Sequence, residues 1–231
     1  MIDTNDLLPR GAEKARVVED MFDRIAPRYD LLNRLLTFRL DVSWRRAAVR
    51  SLELVSGARV LDLACGTGDL CRTLADNGYR PIGVDFSAGM LAAARTDAPL
   101  VRADATSLPF ADHALDGLTC GFALRNFVDL ASVLSECARV VRPRGRIALI
   151  DVGEPTSAPA RAVHGLWFRR VVPFVGGLLS DRSAYAYLPA STAYLPPRSE
   201  LLRIVGAAGF VDVAHRALGA GAAQLITGTR A

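Results

Sequence analysis

One short stretch constrains the fold of this 231-residue chain more than any other. Val60-Leu61-Asp62-Leu63-Ala64-Cys65-Gly66-Thr67-Gly68-Asp69 is an apolar run that breaks at two glycines and opens onto a helix-forming segment. Glycines at such a turn let the backbone approach a ligand closely, and the helix start offers free N–H groups. A nucleotide-type cofactor can sit there. Alone the signal is weak, because dinucleotide-binding proteins and tight structural turns share it. The surrounding pattern sets the architecture. Short aliphatic runs at 59–63, 81–85, 100–103, 115–121 and 146–152 alternate with helical stretches at 68–77, 88–96 and 130–141, the last stopped by Arg142-Pro143-Arg144-Gly145. Such alternation specifies a doubly wound α/β sheet, parallel and covered on both faces.

The flanks differ from this core. Residues 1–57 read as a helical preface, with Val17, Val18, Met21, Phe22 and Ile25 at helical spacing, a break at Pro27, and a second helix carrying Trp44, Val49 and Leu52. The cofactor-binding core spans 58–153. Residues 154–197, rich in Pro, Gly and aromatics, read as a helical cap insertion over a substrate. In 198–231 an amphipathic helix at 199–208 precedes two strands at 211–216 and 222–229, whose short connection makes them antiparallel neighbours. The expected sheet is mostly parallel, with an antiparallel last strand. No repeat or linker divides the chain, so 1–231 is read as a single domain.

Composition removes several function classes. Hydrophobic residues make up 51% and charged residues 23%, as in a folded globular protein. The four cysteines lack C-x-x-C spacing and there are only three histidines, so no metal site is expected and the thiols read as reduced. The first residues lack the pattern of a signal peptide, and no apolar run approaches a membrane span. A cytoplasmic protein is the expectation. The net charge of +4 comes mostly from arginines without interleaved aromatics, which argues against a nucleic-acid partner.

Two acids sharpen the glycine signal. Gly83-Val84-Asp85-Phe86-Ser87 puts a carboxylate at the end of the second strand, about 20 residues after the turn, where it suits ribose hydroxyls. Ala103-Asp104-Ala105 puts another at the end of the third, suited to an adenine amino group. The third glycine of a dinucleotide fingerprint is missing, since Cys71 stands three residues after Gly68. Asp69 at the helix start opposes a pyrophosphate and suits a cationic ligand. The cofactor favoured by this pattern is S-adenosylmethionine.

Further segments carry a resemblance. Met21-Phe22-Asp23-Arg24-Ile25-Ala26-Pro27-Arg28-Tyr29-Asp30, Asn33, Trp44-Arg45-Arg46, Gly121-Phe122-Ala123-Leu124-Arg125-Asn126-Phe127-Val128-Asp129 and Ser183-Ala184-Tyr185-Ala186-Tyr187-Leu188-Pro189-Ala190-Ser191 together resemble the demethylmenaquinone and ubiquinone C-methyltransferases. These are class I S-adenosylmethionine-dependent methyltransferases with a Rossmann-like sheet. The resemblance implies methyl transfer to a ring carbon of a prenylated quinol, finishing a respiratory quinone. It assigns catalysis to Arg125 and Asn126, and cofactor contacts to Thr67, Asp85, Asp104 and Ala105. Asp62, Gly66, Gly68, Phe86 and Gly121 complete the candidate cofactor site. Tyr29, Asn33, Trp44, Tyr185 and Tyr187 form the candidate substrate site. Peripheral contact with the inner face of the membrane and a homodimer are further expectations.

The chain departs from the family pattern at several points. Gly121 stands where a serine is common, Arg142-Pro143-Arg144-Gly145 where Lys-Pro-Gly-Gly is usual, and Ile150-Asp151-Val152-Gly153 where Leu-Glu-Phe-Ser is usual. Gly219-Ala220-Gly221-Ala222-Ala223-Gln224-Leu225 lacks a histidine. These changes leave the fold alone and the ring open: naphthoquinol, benzoquinol or another aromatic or polyketide substrate. An O- or N-methyltransferase is a second reading. A non-catalytic S-adenosylmethionine-binding subunit is a third, and the intact set Gly66, Gly68, Asp85 and Asp104 weighs against it.

Overall fold

A computed structural model of the chain describes residues 10–155, 157–167, 170, 187 and 190–231. The strands are β1 (Arg59–Leu63), β2 (Arg80–Asp85), β3 (Leu100–Arg102), β4 (Leu115–Gly121), β5 (Val141–Val152), β6 (Phe210–Leu218) and β7 (Ala223–Arg230). They form one sheet in the order β3-β2-β1-β4-β5-β7-β6. β1 to β5 run parallel, and β7 is antiparallel to both of its neighbours, β5 and β6. The chain winds outward from β1 to β3, then crosses to β4 on the other side of β1. That reversal opens a crevice at the carboxyl ends of β1 and β4, where ligands of such sheets bind.

Helices cover both faces because neighbouring strand residues point opposite ways. Leu61, Leu63, Leu118, Ile147 and Leu149 pack with Val133, Leu134 and Cys137 of α6 (Leu130–Val140) and with Leu201 and Val205 of α8 (Arg198–Ala207). Val60, Ala148, Ile150 and Leu225 pack with Trp44, Ala48 and Val49 of α3 (Leu40–Ser51) and with Leu70 and Leu74 of α4 (Asp69–Asp76). The preface is thus partly a layer of the sheet domain. Among the described residues it holds three α-helices, α1 (Gly11–Ile25), α2 (Tyr29–Leu36) and α3, rather than the two expected from sequence. The extra break falls at Phe38 and Arg39, both at positive φ. It lets α3 turn onto the sheet, while Met21, Ile25 and Leu32 of α1 and α2 pack against Met90 of α5 (Ala88–Ala92).

Two local expectations change. α5 stops at Ala92 rather than at 96, because the next residues are drawn back to the glycine turn by the Arg95 N–H on the Thr67 carbonyl (3.0 Å). Arg142 to Gly145 is a bulge within β5 and not a separate turn: Leu115 pairs with Val141, and the next pairing is Gly117 with Arg146. Within the cap, α7 (Ala158–Leu166) lies among the described residues, whereas 168–169, 171–186 and 188–189 do not. Among the described residues no helix is long and apolar enough to cross a membrane.

The packing accounts for two departures from the family pattern. A Cβ on Gly121 would lie 2.7 Å from Leu70 Cδ1, so the small residue makes room for Leu70. A Cβ on Gly153 would lie 2.5 Å from the Gly221 carbonyl oxygen and 2.8 Å from the Ala223 carbonyl carbon, both backbone atoms that cannot rotate away. Gly153→Ser should therefore cost about 1–3 kcal/mol through overpacking. A thermal melt checks this, with a fall in Tm of at least ~2 °C expected for a chain of this size. Gly121→Ser, which meets only a mobile methyl, should lose less.

Candidate active site

The carboxyl ends of β1 to β4 surround a cavity of about 300 Å³. Of the residues singled out from sequence, Gly66, Asp85, Phe86, Asp104, Ala105, Gly121, Asn126 and Tyr29 line it. α1 roofs it through Ala15, Val18, Glu19 and Phe22. Tyr29 meets Phe22 edge-on, with ring centroids 5.9 Å apart. Aromatic and aliphatic walls thus surround a few polar groups, the usual construction of a small-molecule site.

The floor is the glycine turn. Gly66 and Gly68 sit at φ +53° and +84°, in the left-handed region that side chains rarely enter. Asp85 locks this turn: Oδ2 accepts the Gly66 N–H at 2.7 Å and Oδ1 accepts the Ser87 N–H at 2.9 Å. Burial pushes the Asp85 carboxyl above its usual range, against those backbone hydrogen bonds, which favour the charged form. Each carboxylate oxygen keeps a lone pair for a ligand hydroxyl. Asp104 Oδ1 accepts both the N–H and the hydroxyl of Thr106 at 2.8 Å, which leaves Oδ2 for a ligand.

Other expected residues stand behind this wall. Asp62 is fully buried beneath the turn, accepting from Thr119 Oγ1 (3.0 Å) and Cys71 Sγ (3.4 Å), and burial pushes its carboxyl up to about 7. The Thr67 hydroxyl donates to Asp30 of α2, so this residue ties the turn to the preface. Gly68 caps α4. Trp44 is core, 6.1 Å from the ring of Phe122, which itself lines the cavity. Asn33 lies beside the Tyr29 side chain. Tyr185 lies outside the described residues. Asp69 does not face the cavity as an isolated charge; it is neutralised by Arg72 and by Arg45 at 3.0 Å, with Arg34 at 3.4 Å. Its role in selecting a cationic ligand therefore falls away.

Arg125 is 6% exposed and does not line the cavity. Its guanidinium donates to the Asp151 carboxylate, to the Phe122 carbonyl at 2.8 Å and, through Nε, to Ser191 Oγ at 3.1 Å. Asp151 and Ser191 are both completely buried. This network joins the end of β5, the cap and the loop that carries Asn126. Asn126 is different: it lines the cavity, and its buried Oδ1 has no hydrogen-bond partner among the described residues. The Tyr187 hydroxyl is likewise buried and unpartnered, and burial pushes it up to about 12.

Sequence reasoning missed Asp151, Ser191 and, above all, Lys14. Lys14 Nζ donates to the carbonyls of Arg125 (2.9 Å) and Phe127 (2.7 Å) and sits 3.8 Å above the Tyr194 ring. It holds the first turn of α1 to the Asn126 loop. Farther along α1, Glu19 meets Arg102 at 2.9 Å and Asp23 accepts the Gly89 N–H at 2.9 Å, so the roof is fastened at the ends of β4, β3 and β2 in turn. One signal was available. Lys14 is the only lysine in the chain, beside 27 arginines.

Comparison with known proteins bears on this geometry. A family model described as the ubiE/COQ5 methyltransferase family matches residues 10–230. The chain is 39% identical over 233 residues, 96% of it, to the ubiquinone/menaquinone biosynthesis C-methyltransferase UbiE of Geobacter sulfurreducens, covering 91% of that protein. It is 42% identical over 220 residues to the demethylmenaquinone methyltransferase of Thermus thermophilus, covering 91% of this chain and 100% of that one. Among solved structures, a SAM-dependent methyltransferase of Thermotoga maritima superposes with a TM-score of 0.67 at 19% identity, over 92% of this chain and 99% of the other. A Haemonchus contortus phosphoethanolamine N-methyltransferase solved with S-adenosyl-L-methionine gives a TM-score of 0.60 at 14% identity, over 100% and 60%.

Burial lowers the Lys14 ammonium from the usual 10.5 to about 8. Between these values the unfolded chain binds a proton that the folded chain has released, so this group's contribution to stability rises with pH across that window. Because the lysine is unique, lysine-15N-labelled protein should give one side-chain signal titrating near pH 8. Lys14→Met should flatten the rise in stability between pH 8 and 10.5. A lysine signal titrating at its ordinary value would place Nζ in water.

Proposed function

Because the chain belongs to the ubiE/COQ5 methyltransferase family and is an S-adenosylmethionine-dependent C-methyltransferase of quinone biosynthesis, we propose that it methylates the reduced, prenylated ring in the cavity roofed by α1. The observation that carries this reading is a cavity at the sheet's switch point whose floor is the Asp85-locked glycine turn and whose wall holds the unpartnered Asn126 Oδ1. The residues fit the cofactor. Asp85 offers acceptors to a ribose diol, the free Oδ2 of Asp104 offers one to an adenine amino group, and Gly66 leaves open space where a Cβ would stand, 3.9 Å from Met90 Sδ. When bound, S-adenosylmethionine supplies an electrophilic methyl group on a sulfonium.

The protein's own part is to position and dry the ring. Asn126 Oδ1 accepts a hydrogen bond from a ring hydroxyl, which raises electron density on the ring as that O–H polarises. Tyr187 Oη serves as a second polar contact from the cap. Phe22, Tyr29, Phe86 and Phe127 exclude water around the reacting carbon. Arg125, neutralised by Asp151, is a positioning residue that fixes the Asn126 loop. The prenyl tail of such a quinol dissolves in a bilayer, so contact with a membrane surface belongs to this reading.

The test of function is turnover of short-chain demethylated naphthoquinols and benzoquinols with labelled S-adenosylmethionine under reducing conditions, the methyl being located by NMR. A ring-carbon product from the quinol, and none from the oxidised quinone, is expected, since only the reduced ring is electron-rich. Methyl on oxygen, or equal turnover of the quinone, would overturn the proposal. Two variants separate the residue roles. Asn126→Ala should lower kcat about 10²-fold while cofactor Kd stays unchanged. Arg125→Met should instead lose about 3–5 kcal/mol of stability, because it strands the buried Asp151 carboxylate. Arg125→Met/Asp151→Leu should recover folding, with kcat still low because the loop is no longer fixed.

A further inference from the structure

α2 carries an exposed apolar ridge. Leu31 and Leu35, one helical turn apart, are 66% and 48% exposed, and Phe38 in the turn that follows and Leu40 at the start of α3 are 69% and 45% exposed. The cap extends the ridge: the Trp167 ring packs at a tilt against Phe38, centroids 4.9 Å apart, and donates to the Leu36 carbonyl at 3.2 Å, and neighbouring Leu166 is 54% exposed. Half of the large hydrophobics that stand exposed among the described residues thus gather here. Such clustering marks an interaction surface, whereas scattered single residues do not.

Beside the ridge runs a cleft of about 1040 Å³ whose wall carries nine arginines against three aspartates. One of those acids, Asp69, is already spent on Arg45 and Arg72. Arg39, in the break before α3, and Arg46 and Arg50, one turn apart on α3, are exposed and have no ion pair among the described residues. Arg34 of α2 lines the same cleft. Aliphatic and aromatic side chains projecting beside unpaired guanidinium groups match the boundary between acyl chains and anionic headgroups. A nucleic acid or free phosphate would satisfy the arginines and leave the leucines in water.

We propose that the α2 ridge and the arginines of α3 form a docking surface for an anionic phospholipid bilayer. Tyr29, in the first turn of α2, lines the cavity while Leu31 and Leu35 stand exposed on the same helix, so docking through their side holds the cavity within a helix width of the bilayer where a prenylated quinol resides. The inference rests on the prenylated-quinol reading for its purpose. Its physical test does not.

The full chain should sediment with phosphatidylcholine vesicles containing phosphatidylglycerol and stay in solution with phosphatidylcholine alone, the binding weakening as salt rises. Arg46→Glu/Arg50→Glu should weaken it roughly tenfold or more. Leu31→Ser/Leu35→Ser should abolish it, with Tm and turnover of a short-chain quinol kept and turnover of a long-chain quinol in vesicles falling about tenfold. Unchanged sedimentation of both variants, or equal binding to neutral vesicles, would overturn the proposal. So would a wild-type dimer that the leucine variant splits, since a second copy would then cover the ridge. If vesicles bind but no quinol is methylated, the docking surface stands and the substrate reading falls.

Discussion

The site depends on one carboxylate. Asp85 reaches from the end of β2 to accept the N–H of Gly66 on the β1 turn and of Ser87 at the start of α5, and so holds two ligand-facing loops at a fixed separation. Neither loop holds its shape alone, because the turn runs through positive φ at Ala64, Gly66 and Gly68. The same buried carboxylate that shapes the turn faces the cavity. Its charged form is costly to bury and is compensated by amides rather than by a cation, which leaves it able to accept from a neutral diol.

Around that centre, buried polar contacts fasten the added segments to the sheet domain. On one side Asp41, Arg45, Asp69 and Arg72 join α3 to α4, and Asp30 meets Thr67 on the turn. On the other, Arg125, Asp151 and Ser191 join the β4 loop, β5 and the cap. Lys14 closes α1 over the β4 loop. Buried ion pairs contribute little net stability compared with well-packed apolar residues, yet stranding one partner is expensive. They therefore suit the work seen here, which is to make one docked arrangement of roof, loop and cap much better than its neighbours. The cavity that results has few polar groups, and one on its wall, Asn126 Oδ1, is buried without a hydrogen-bond partner among the described residues.

The departures from the family pattern are consistent with this packing. Gly121 accompanies Leu70, and Gly153 accompanies Gly221 at the β6–β7 connection. Asp151, at the end of β5, reaches Arg125. None of these exchanges alters the cavity wall except at Gly121.

The sheet and its order of elements were legible in the sequence because hydrophobic period and glycine turns are local signals; 59–63 and 115–121 agree with β1 and β4 to the residue. The strand-end acids Asp85 and Asp104 were legible for the same reason, since topology alone brings strand ends together. What the sequence by itself could not determine was which side chains face the ligand and which face each other. Asp62, Asp69, Trp44 and Arg125 look like site residues by motif, but partners distant in the chain turn them inward: Thr119, Arg45, Phe122 and Asp151. Lys14 carries no motif in the sequence and lies buried, 111 positions from its carbonyl acceptor at Arg125. Only the tertiary structure decides such cases, because whether a charge meets water, a ligand or an opposite charge is fixed by packing between segments and leaves no periodic trace along the chain.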